Sequence, residues 1–582
     1  MTLFAGVYSF KPEGNIGNDI IQLLKSSLSR RAGEFDVYSN HTFAIVKYDC
    51  KAFGVPGFAE SGTSVAALAG EPYLSEVDGL EYSRYSDLLT ISEQLMQGNL
   101  EVLRSCRGVY SVCIYDKNKN SLVLATDKLG ERPIYYFIDD DYLFFSSRLG
   151  ALEKVDLIPK KLNLSAFIEE PVFGVPLGNN TYYCDIKLLR DGQYLQCSQD
   201  QKKLSSYFRW DQIAPHNRSS EDLLQHSFDA FKAAVSCRIK EKKEVFACLS
   251  GGMDSRSVVS ILNSFGKKIT AFNFSRAGEQ DEAYAAQYAE AIGINYIATR
   301  RPPKNWTWGS TISDALDNVR GDVKDRINHL RLVFTGDGGS VGVGHVYMND
   351  ELISLIKQKR IDEALRFFLK RRGYPRKIFR KEIFSALAEV PFDSLKREFD
   401  DIEGPDTGRK FYLFLLRNDQ RRHLHQFFED IDLNGVELLL PFYDSRLLET
   451  IVSAPAEGFI GHRFYHDWLR FFPPDYQAVP WQTYHGHLPC PVPHDSNFID
   501  QWSLNKKEKF KPGGASMRQW LNIIFARNFP GEIMRRSIIG AAFILYYLRI
   551  EDYAYIFGFF NKFQKYYAKC SEYRIDCNKH RI

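Results

Sequence analysis

A glycine-rich segment, Cys248-Leu249-Ser250-Gly251-Gly252-Met253-Asp254-Ser255, is the most informative part of this sequence. Residues 244–249, which lead into it, form a short apolar run typical of a buried strand, and residues 256–265 after it have helical spacing. In α/β proteins, ligands bind where a strand of this kind ends and the following helix begins. The segment therefore predicts an anion-binding loop between a strand and a helix.

The residue types in this loop indicate what it binds. Gly251 and Gly252 allow the backbone to approach a phosphate closely, and Ser250 and Ser255 can add hydroxyl donors. A bare phosphate would repel the carboxylate of Asp254, so we interpret Asp254 as a magnesium ligand that makes carboxylate and pyrophosphate compatible. The lysine of the G-x-x-x-x-G-K-[ST] loop is missing, which argues against a kinase-type phosphate loop.

Strand-like and helix-like segments alternate around the loop. Helical spacing over residues 223–235 precedes it, and a strand over 268–274, a helix over 282–292 and a strand over 295–299 follow. This rhythm predicts an α/β domain with a doubly wound parallel sheet.

The first two hundred residues have a different pattern. Short β-branched or aromatic runs predict strands, and one segment with helical spacing, residues 86–104, predicts a helix. The predicted strands are residues 42–48, 64–69, 109–115, 122–126 and 134–137. This half is expected to be a layered α+β domain, with the boundary near residues 211–220.

Composition excludes several classes of protein. The 582 residues carry a net charge of only +3, so no nucleic acid partner is expected from charge, although residues 501–582 are basic and aromatic. No secretion signal or membrane span is readable, and the ten cysteines form no CxxC pair. We therefore expect a reducing compartment and a cytoplasmic protein.

Several further motifs, taken in order, resemble one family. Residues 108–116 and 125–136 look like its GxFAxxxxD and ARDxxGxxPLYY patterns, and Asp281-Glu282 like an acidic pair at the start of a helix. Other matching segments are residues 144–152, 179–195, 335–339 and 440–444. Together they resemble the asparagine synthetase (glutamine-hydrolysing) family.

The resemblance implies three regions. Residues 1–210 would be a glutaminase-like domain of the Ntn type, and residues 219–490 an ATP-pyrophosphatase (synthetase) domain with helical additions. Residues 491–582 would be a basic, aromatic helical extension. The cofactors implied are ATP and Mg²⁺.

Three departures from the family pattern bear on function. Thr2 stands where glutamine-using members have a nucleophilic Cys, and a hydroxyl is much less ionised than a thiol. We therefore expect a domain that is inactive toward glutamine. Ser340 stands where a second magnesium-binding Asp is usual, and residues 481–489 lack the family's catalytic Lys. Tyr484, His485 or His487 could take its part, or could be packing and turn residues.

The resemblance also assigns roles to residues. Leu249 and Phe274 would lie near adenine, the loop residues Ser250, Gly251, Gly252 and Ser255 would hold pyrophosphate, and Gly336 and Asp337 would face the reacting groups. Asp337, Tyr484 and His485 are the candidate catalytic residues, and Asp254 and Ser340 the candidate metal ligands.

The function implied is an ATP-dependent, AMP-forming ligase that adenylates a carboxylate for attack by an amine. Family members without the Cys nucleophile include β-lactam synthetases and lasso-peptide macrolactam cyclases, and this chain resembles them in that respect. The alternatives are an amidotransferase that uses glutamine or ammonia, and a catalytically silent nucleotide-binding protein. The expected partners are a carboxylate-bearing substrate such as a peptide, an amine donor and a second copy of the chain.

Overall fold

A computed structural model describes most of the chain. The described residues are 2–11, 14, 16–28, 35–74, 83–216, 218–239, 242–276, 278–299, 307–319, 331–370, 372–404, 406–493, 498, 521, 524–525, 529–575 and 577. For Thr2, Gln420, Arg422, His423 and Gln426 it describes the backbone alone.

Short strands and a few helices build the first half of the chain. The strands are β1 (Thr2–Ser9), β2 (Phe35–Ser39), β3 (Phe43–Asp49), β4 (Phe58–Glu60), β5 (Ser64–Gly70), β6 (Tyr110–Asp116), β7 (Ser121–Thr126), β8 (Tyr135–Ile138), β9 (Tyr142–Ser146), β10 (Lys161–Asn163), β11 (Lys187–Leu188), β12 (Gln193–Cys197) and β13 (Lys202–Ser206). The helices are α1 (Asn18–Leu28), α2 (Arg84–Met96), α3 (Glu101–Ser105), α4 (Leu149–Leu152) and α5 (Leu164–Phe173).

These strands form two six-stranded sheets, ordered β11-β8-β9-β1-β3-β2 and β13-β12-β7-β6-β5-β4, in which neighbouring strands are antiparallel. Successive residues of β5 point to opposite faces. Val65 packs in a core between the sheets, whereas Leu68 packs against Leu88 and Ile91 of α2. The predicted layered α+β domain is confirmed.

One predicted helix is wrong. The spacing over residues 86–104 predicts a continuous helix, but the structure has α2 and α3 separated by a turn. Gly98 has φ +81°, a left-handed conformation that ends α2 at low cost because glycine has no Cβ.

A parallel sheet lies at the centre of the second half. Its strands are β14 (Glu244–Cys248), β15 (Lys268–Asn273), β16 (Asn295–Ala298), β17 (Leu332–Phe334) and β18 (Glu437–Leu439), in the order β16-β15-β14-β17-β18. All four pairings are parallel, as the alternation of strands and helices predicts.

Helices account for most of the remaining second half. They are α6 (Ser220–Ile239), α7 (Met253–Ser264), α8 (Gln280–Ala291), α9 (Trp308–Val319), α10 (Gly339–Gly342), α11 (Asp350–Lys357), α12 (Ile361–Leu369), α13 (Lys381–Leu387), α14 (Val390–Asp400), α15 (Thr407–Phe414), α16 (Gln420–Leu433), α17 (Ser445–Val452) and α18 (Arg463–Trp468). Within the described ranges, every helix is too short or too polar to cross a membrane.

Buried ion pairs join the two halves. Arg132 of the first half donates to Asp432 at 2.7 Å and also to Glu437, and all three side chains are almost completely buried. Arg107 of the first half pairs with Asp444 of the second at 2.9 Å, and Arg238, within the second half, pairs with the same carboxylate at 3.0 Å. Since an unpaired buried charge is costly, these pairs fix how the halves meet.

The last described part of the chain returns to the first half. Here α19 (Arg536–Tyr547) and α20 (Ala554–Tyr567) form a helical pair, and β19 (Glu572–Arg574) pairs in parallel with β10. The Tyr566 ring of α20 lies edge-on to Phe167 at 5.6 Å and tilted against Tyr182 at 4.5 Å.

A disulfide bond and two ion pairs hold this last segment against the first half. Cys184 and Cys577 form a disulfide bond, which no local cysteine motif signals because 393 residues separate them. This bond departs from the expectation of a reducing compartment, where disulfides are rare. Lys562 pairs with Glu170, and Lys569 with Glu153, so acids of the first half neutralise part of the basic tail. The tail lysines at 506, 507, 509 and 511 lie outside the described residues.

Candidate active site

The glycine-rich loop lies where the sequence predicts it, between the end of β14 and the start of α7. A Cβ on Gly251 would come within 2.8 Å of the Asp281 Cα, and one on Gly336 within 2.3 Å of the Ser255 nitrogen. Glycine is therefore required at both positions, because backbone from three segments meets there without room for side chains.

Hydrogen bonds hold the loop in shape. The Ser250 nitrogen donates to the Ser255 Oγ at 2.9 Å, and the two hydroxyl groups are also 2.9 Å apart. The Gly251 nitrogen donates to Asp281 Oδ1 at 3.1 Å, and Asn273 and Ser275 both donate to Asp281 Oδ2. Asp281, at the start of α8, thus fixes the loop from outside.

Asp254 faces hydroxyl groups. Its Oδ2 accepts from the Ser340 hydroxyl at 2.6 Å and its Oδ1 from the Tyr465 hydroxyl at 2.8 Å. Burial raises the pKa of Asp254 to about 6, although both hydrogen bonds act in the opposite direction. A carboxylate in this setting gains from a cation brought in by a ligand.

Asp337 adds a second carboxyl group on the neighbouring loop after β17. It accepts a hydrogen bond from the Thr335 hydroxyl at 2.7 Å, and burial raises its pKa. Asp337 and Asp254 repel each other electrostatically. Among the described residues no group of three His, Cys, Asp or Glu side chains could hold a metal ion. Two neighbouring carboxyl groups are ligands of the kind that Mg²⁺ shares with phosphate oxygens.

A cavity of about 310 Å³, the nucleotide cavity, opens beside the loop. It is lined by Leu249, Ser250, Asp254, Ser255, Phe274, Gly336, Asp337 and Ser340, all predicted site residues. Its other wall is apolar, with the Trp308 ring edge-on to Phe274 at 5.8 Å. The structure therefore brings the glycine-rich loop, two carboxyl groups and an aromatic wall together around one space.

The two candidate residues of the 481–489 segment have different positions. The Tyr484 hydroxyl donates to the Ser340 Oγ at 3.4 Å, and the Gln482 nitrogen donates to the Gly251 oxygen at 2.8 Å, so this segment packs on the loop. His485 instead lines a separate groove together with His487.

The region around the start of β1 has its own arrangement of charges. Thr2 pairs in register with Asp49 of β3. Asp49 is 3.4 Å from Lys47 and 3.0 Å from Arg84, and these cations hold its pKa well below the usual range despite burial. Arg84 also donates to the Gly70 oxygen at 2.9 Å. A nearby cavity, bordered by Gly70, is only about 20 Å³, room for about one water molecule.

Sequence reasoning missed several residues of the site. Tyr465 binds Asp254 across 211 residues of sequence, and Trp308 belongs to a helix with no motif. Asn273 and Ser275 carry a usable signal, because they follow β15 at the edge where parallel strands end.

Comparisons with known proteins agree with this arrangement. The sequence pattern of the glutamine amidotransferase domain matches residues 73–208, and that of asparagine synthase matches residues 228–305, which include the loop.

Individual relatives are distant. The chain is 28% identical over 234 residues to a protein of Methanocaldococcus jannaschii provisionally named asparagine synthetase (glutamine-hydrolyzing) 2, covering 39% of this chain and 44% of the relative. It is 23% identical over 309 residues to asparagine synthetase (glutamine-hydrolyzing) 1 of Bacillus subtilis, covering 50% of this chain and 48% of the relative. The chain thus spans about half the length of these curated relatives.

A solved structure of the allosteric regulatory enzyme of purine biosynthesis covers 56% of this chain and 88% of its own, at 12% identity and a TM-score of 0.26, which is too low to bear on the fold. The two domain patterns occur in this order on the α+β and parallel-sheet domains described above. Over these two regions the chain is therefore similar to proteins of the asparagine synthetase family.

Proposed function

We propose that the protein is an ATP-dependent ligase that adenylates a carboxylate and then forms an amide with an amine. The observation that carries this proposal is the nucleotide cavity, in which Asp254 and Asp337 face a glycine-rich loop and an aromatic wall. An anion-binding loop alone suits many ligands, but this combination suits a nucleotide with a charged and an apolar end.

Each part of the cavity has a role in this proposal. Leu249 and Phe274 would contact adenine, and Ser250, Gly251, Gly252 and Ser255 would hold the β and γ phosphates of ATP. Asp254 would hold Mg²⁺ that arrives with the nucleotide, with the Ser340 hydroxyl beside it. Mg²⁺ would neutralise phosphate charge, and the raised pKa of Asp254 fits a group that is stabilised by such a cation.

The proposed reaction has two steps. A carboxylate oxygen bonds to the α-phosphorus as the bond to the bridging oxygen breaks, and pyrophosphate leaves. The amine nitrogen then bonds to the acyl carbon, AMP leaves with the former carboxylate oxygen, and a proton leaves the amine. The first step is needed because a free carboxylate is a poor electrophile, whereas an acyl-adenylate has a good leaving group. Asp337, which lines the cavity, and Tyr484, which lies against Ser340, would position the reacting groups.

We propose further that glutamine is not the source of the amine. Thr2 offers a hydroxyl in place of a thiol, and the charges on the neighbouring strand position are already paired within the protein. The amine donor would then bind with the acid, or belong to the same molecule.

One alternative follows from the relatives, whose names describe glutamine-hydrolysing asparagine synthetases. Production of asparagine from aspartate, ATP and ammonia would favour it. A silent nucleotide-binding protein is the other alternative, and failure of every acid to stimulate ATP/pyrophosphate exchange would favour that.

The decisive test is ATP/pyrophosphate exchange across a panel of carboxylic acids. The wild-type protein should incorporate labelled pyrophosphate into ATP with at least one acid, and Asp254→Ala should abolish this while leaving the fold intact by circular dichroism. Exchange that is unaffected by Asp254→Ala would contradict the proposed site.

A further inference from the structure

A second cavity, here called the acid groove, lies beside the nucleotide cavity. It has a volume of about 770 Å³, against about 310 Å³ for the nucleotide cavity. Residues 346–352, 460–461, Arg463 and 485–489 form most of its walls. If ATP occupies the smaller cavity, as the proposed function requires, little of that space is left for the body of a second reactant.

Two chain segments run from one cavity to the other. The first contains Ser340, which lines the nucleotide cavity, and continues to residues 346–348 in the acid groove. The second contains Gln482 and Tyr484, which contact the glycine-rich loop and Ser340, and continues to residues 485–489 in the groove. The parts of these two segments that join the lining residues therefore lie between the two cavities.

His462 lies in the chain between Gly461 and Arg463, which line the groove, but it lines neither cavity itself. His462 is only 1% exposed, and among the described residues neither of its ring nitrogens has a hydrogen-bond partner. The His487 ring lies 4.3 Å from it, and the Tyr484 ring 5.7 Å. Buried polar groups normally have partners, so the His462 ring is a candidate to hydrogen-bond a ligand group that enters between the Tyr484 and His487 rings.

The groove offers contacts for an anionic or acceptor-rich chain. Lys370, Arg372 and Arg463 border it, and the Arg372 guanidinium stacks 4.1 Å from the centre of the Phe368 ring. Two acids, Asp350 and Glu351, lie at one side, so the cations exceed the acids by one. Arginine stacked on an aromatic ring is a common platform for peptide-like or carboxylate ligands.

We infer that the acid groove binds the body of an elongated carboxylic acid, whose carboxyl end passes His462 and Tyr484 to reach Ser340 and Asp337 in the nucleotide cavity. This inference rests on the proposed function and names the class of its substrate. It predicts that an acid the size of aspartate is a poor substrate, because it leaves the groove unfilled.

The test compares two probes in ATP/pyrophosphate exchange: free aspartate and an N-acetylated tetrapeptide that ends in aspartate. We expect the tetrapeptide to be the better substrate by about tenfold or more in kcat/KM. Leu488→Trp, which narrows the groove, should raise the KM for the tetrapeptide about tenfold and leave the KM for ATP unchanged. Lys357→Ala, on the exposed face of α11 outside the groove, is the matched control and should change neither.

A binding measurement tests the contribution of His462 separately from that of the groove. A fluorescein-labelled form of the tetrapeptide should bind the wild-type protein by anisotropy, and His462→Phe should weaken binding without changing the midpoint of thermal unfolding by more than about 3 °C. Equal exchange with aspartate and the tetrapeptide, or a tetrapeptide KM insensitive to Leu488→Trp, would overturn the acid groove and leave the proposed ligase standing. Exchange with neither probe nor any other acid would overturn both.

Discussion

Two buried carboxyl groups, Asp254 near the carboxyl end of β14 and Asp49 near the start of β1, have pKa values shifted in opposite directions. Beside β14, Asp254 accepts hydrogen bonds from two hydroxyl groups, lines an open cavity near the carboxyl group of Asp337, and has its pKa raised to about 6, chiefly by burial. Beside β1, Asp49 contacts two cations of the same protein, and its pKa is held low. The second carboxylate is thus neutralised within the protein, whereas the first is not, as expected of the proposed site for a cation that arrives with a ligand.

The largest expected effect comes from removing the charge of Asp49, which pairs with Lys47 and Arg84. Asp49→Asn should lower the free energy of unfolding by about 3 kcal/mol, because Lys47 and Arg84 would be left buried without a counter-charge. Urea denaturation measures this. As a control, Glu363→Gln, which removes an exposed partner of Arg360, should cost less than about 1 kcal/mol. Equal losses would show that the Asp49 pairs are no more important than surface pairs.

The next effect concerns the loop geometry. Gly336→Ala should reduce ATP/pyrophosphate exchange by about 100-fold or more, since its Cβ would lie 2.3 Å from the Ser255 nitrogen and push the two loops apart. Gly458→Ala is the matched control, because a Cβ there meets nothing within 4 Å. Wild-type exchange in Gly336→Ala would mean that the loops do not act together.

A smaller change in the free energy of unfolding, opposite in sign to that of Asp49→Asn, is expected at Asp254. Asp254→Asn should stabilise the nucleotide-free protein by about 1 kcal/mol at pH 8, because the folded state disfavours the ionised carboxylate. The folded pKa, about 6, is above the unfolded value of about 3.9, so the wild type itself gains stability as pH falls through 6 toward 4.

Thermal unfolding of both proteins between pH 4 and 8 checks this sign. The advantage of Asp254→Asn should shrink as the pH falls below 6. An advantage that grows at low pH would show that Asp254 is stabilised as an anion in the empty cavity.

The smallest expected effect is none at all. The purified protein should release no ammonia from glutamine, and Thr2→Ala should not alter that result, since a hydroxyl without an activating base is a weak nucleophile. A coupled ammonia assay measures it. Ammonia release that is lost in Thr2→Ala would show that Thr2 is a working nucleophile and that the first half hydrolyses glutamine.

The features that can be predicted from the sequence are those that neighbouring residues determine. Strand alternation placed β5 and β14, and the glycine pair located the loop, because the residues that specify these features are neighbours in sequence. The helix over residues 86–104 was wrong, because one glycine outweighed an apolar spacing that continues through it.

Other features were beyond reach because they depend on tertiary contacts. Tyr465 lies far from Asp254 in the sequence, and the aromatic wall comes from helices that carry no motif. The acid groove likewise combines segments that meet only when the chain folds. The spacing of residues along the chain does not indicate which distant segments come into contact.

The return of β19 to β10 has a consequence for biosynthesis. Cys577 follows Cys184 by 393 residues, so at ordinary rates of translation the ribosome needs about 20 to 80 seconds to make the segment that covers β10. During that interval the nascent first half presents an uncovered strand edge and the aromatic side chains of Phe167 and Tyr182. Production of the protein in a host with few chaperones should therefore suffer from aggregation of incomplete chains more than from instability of the finished fold.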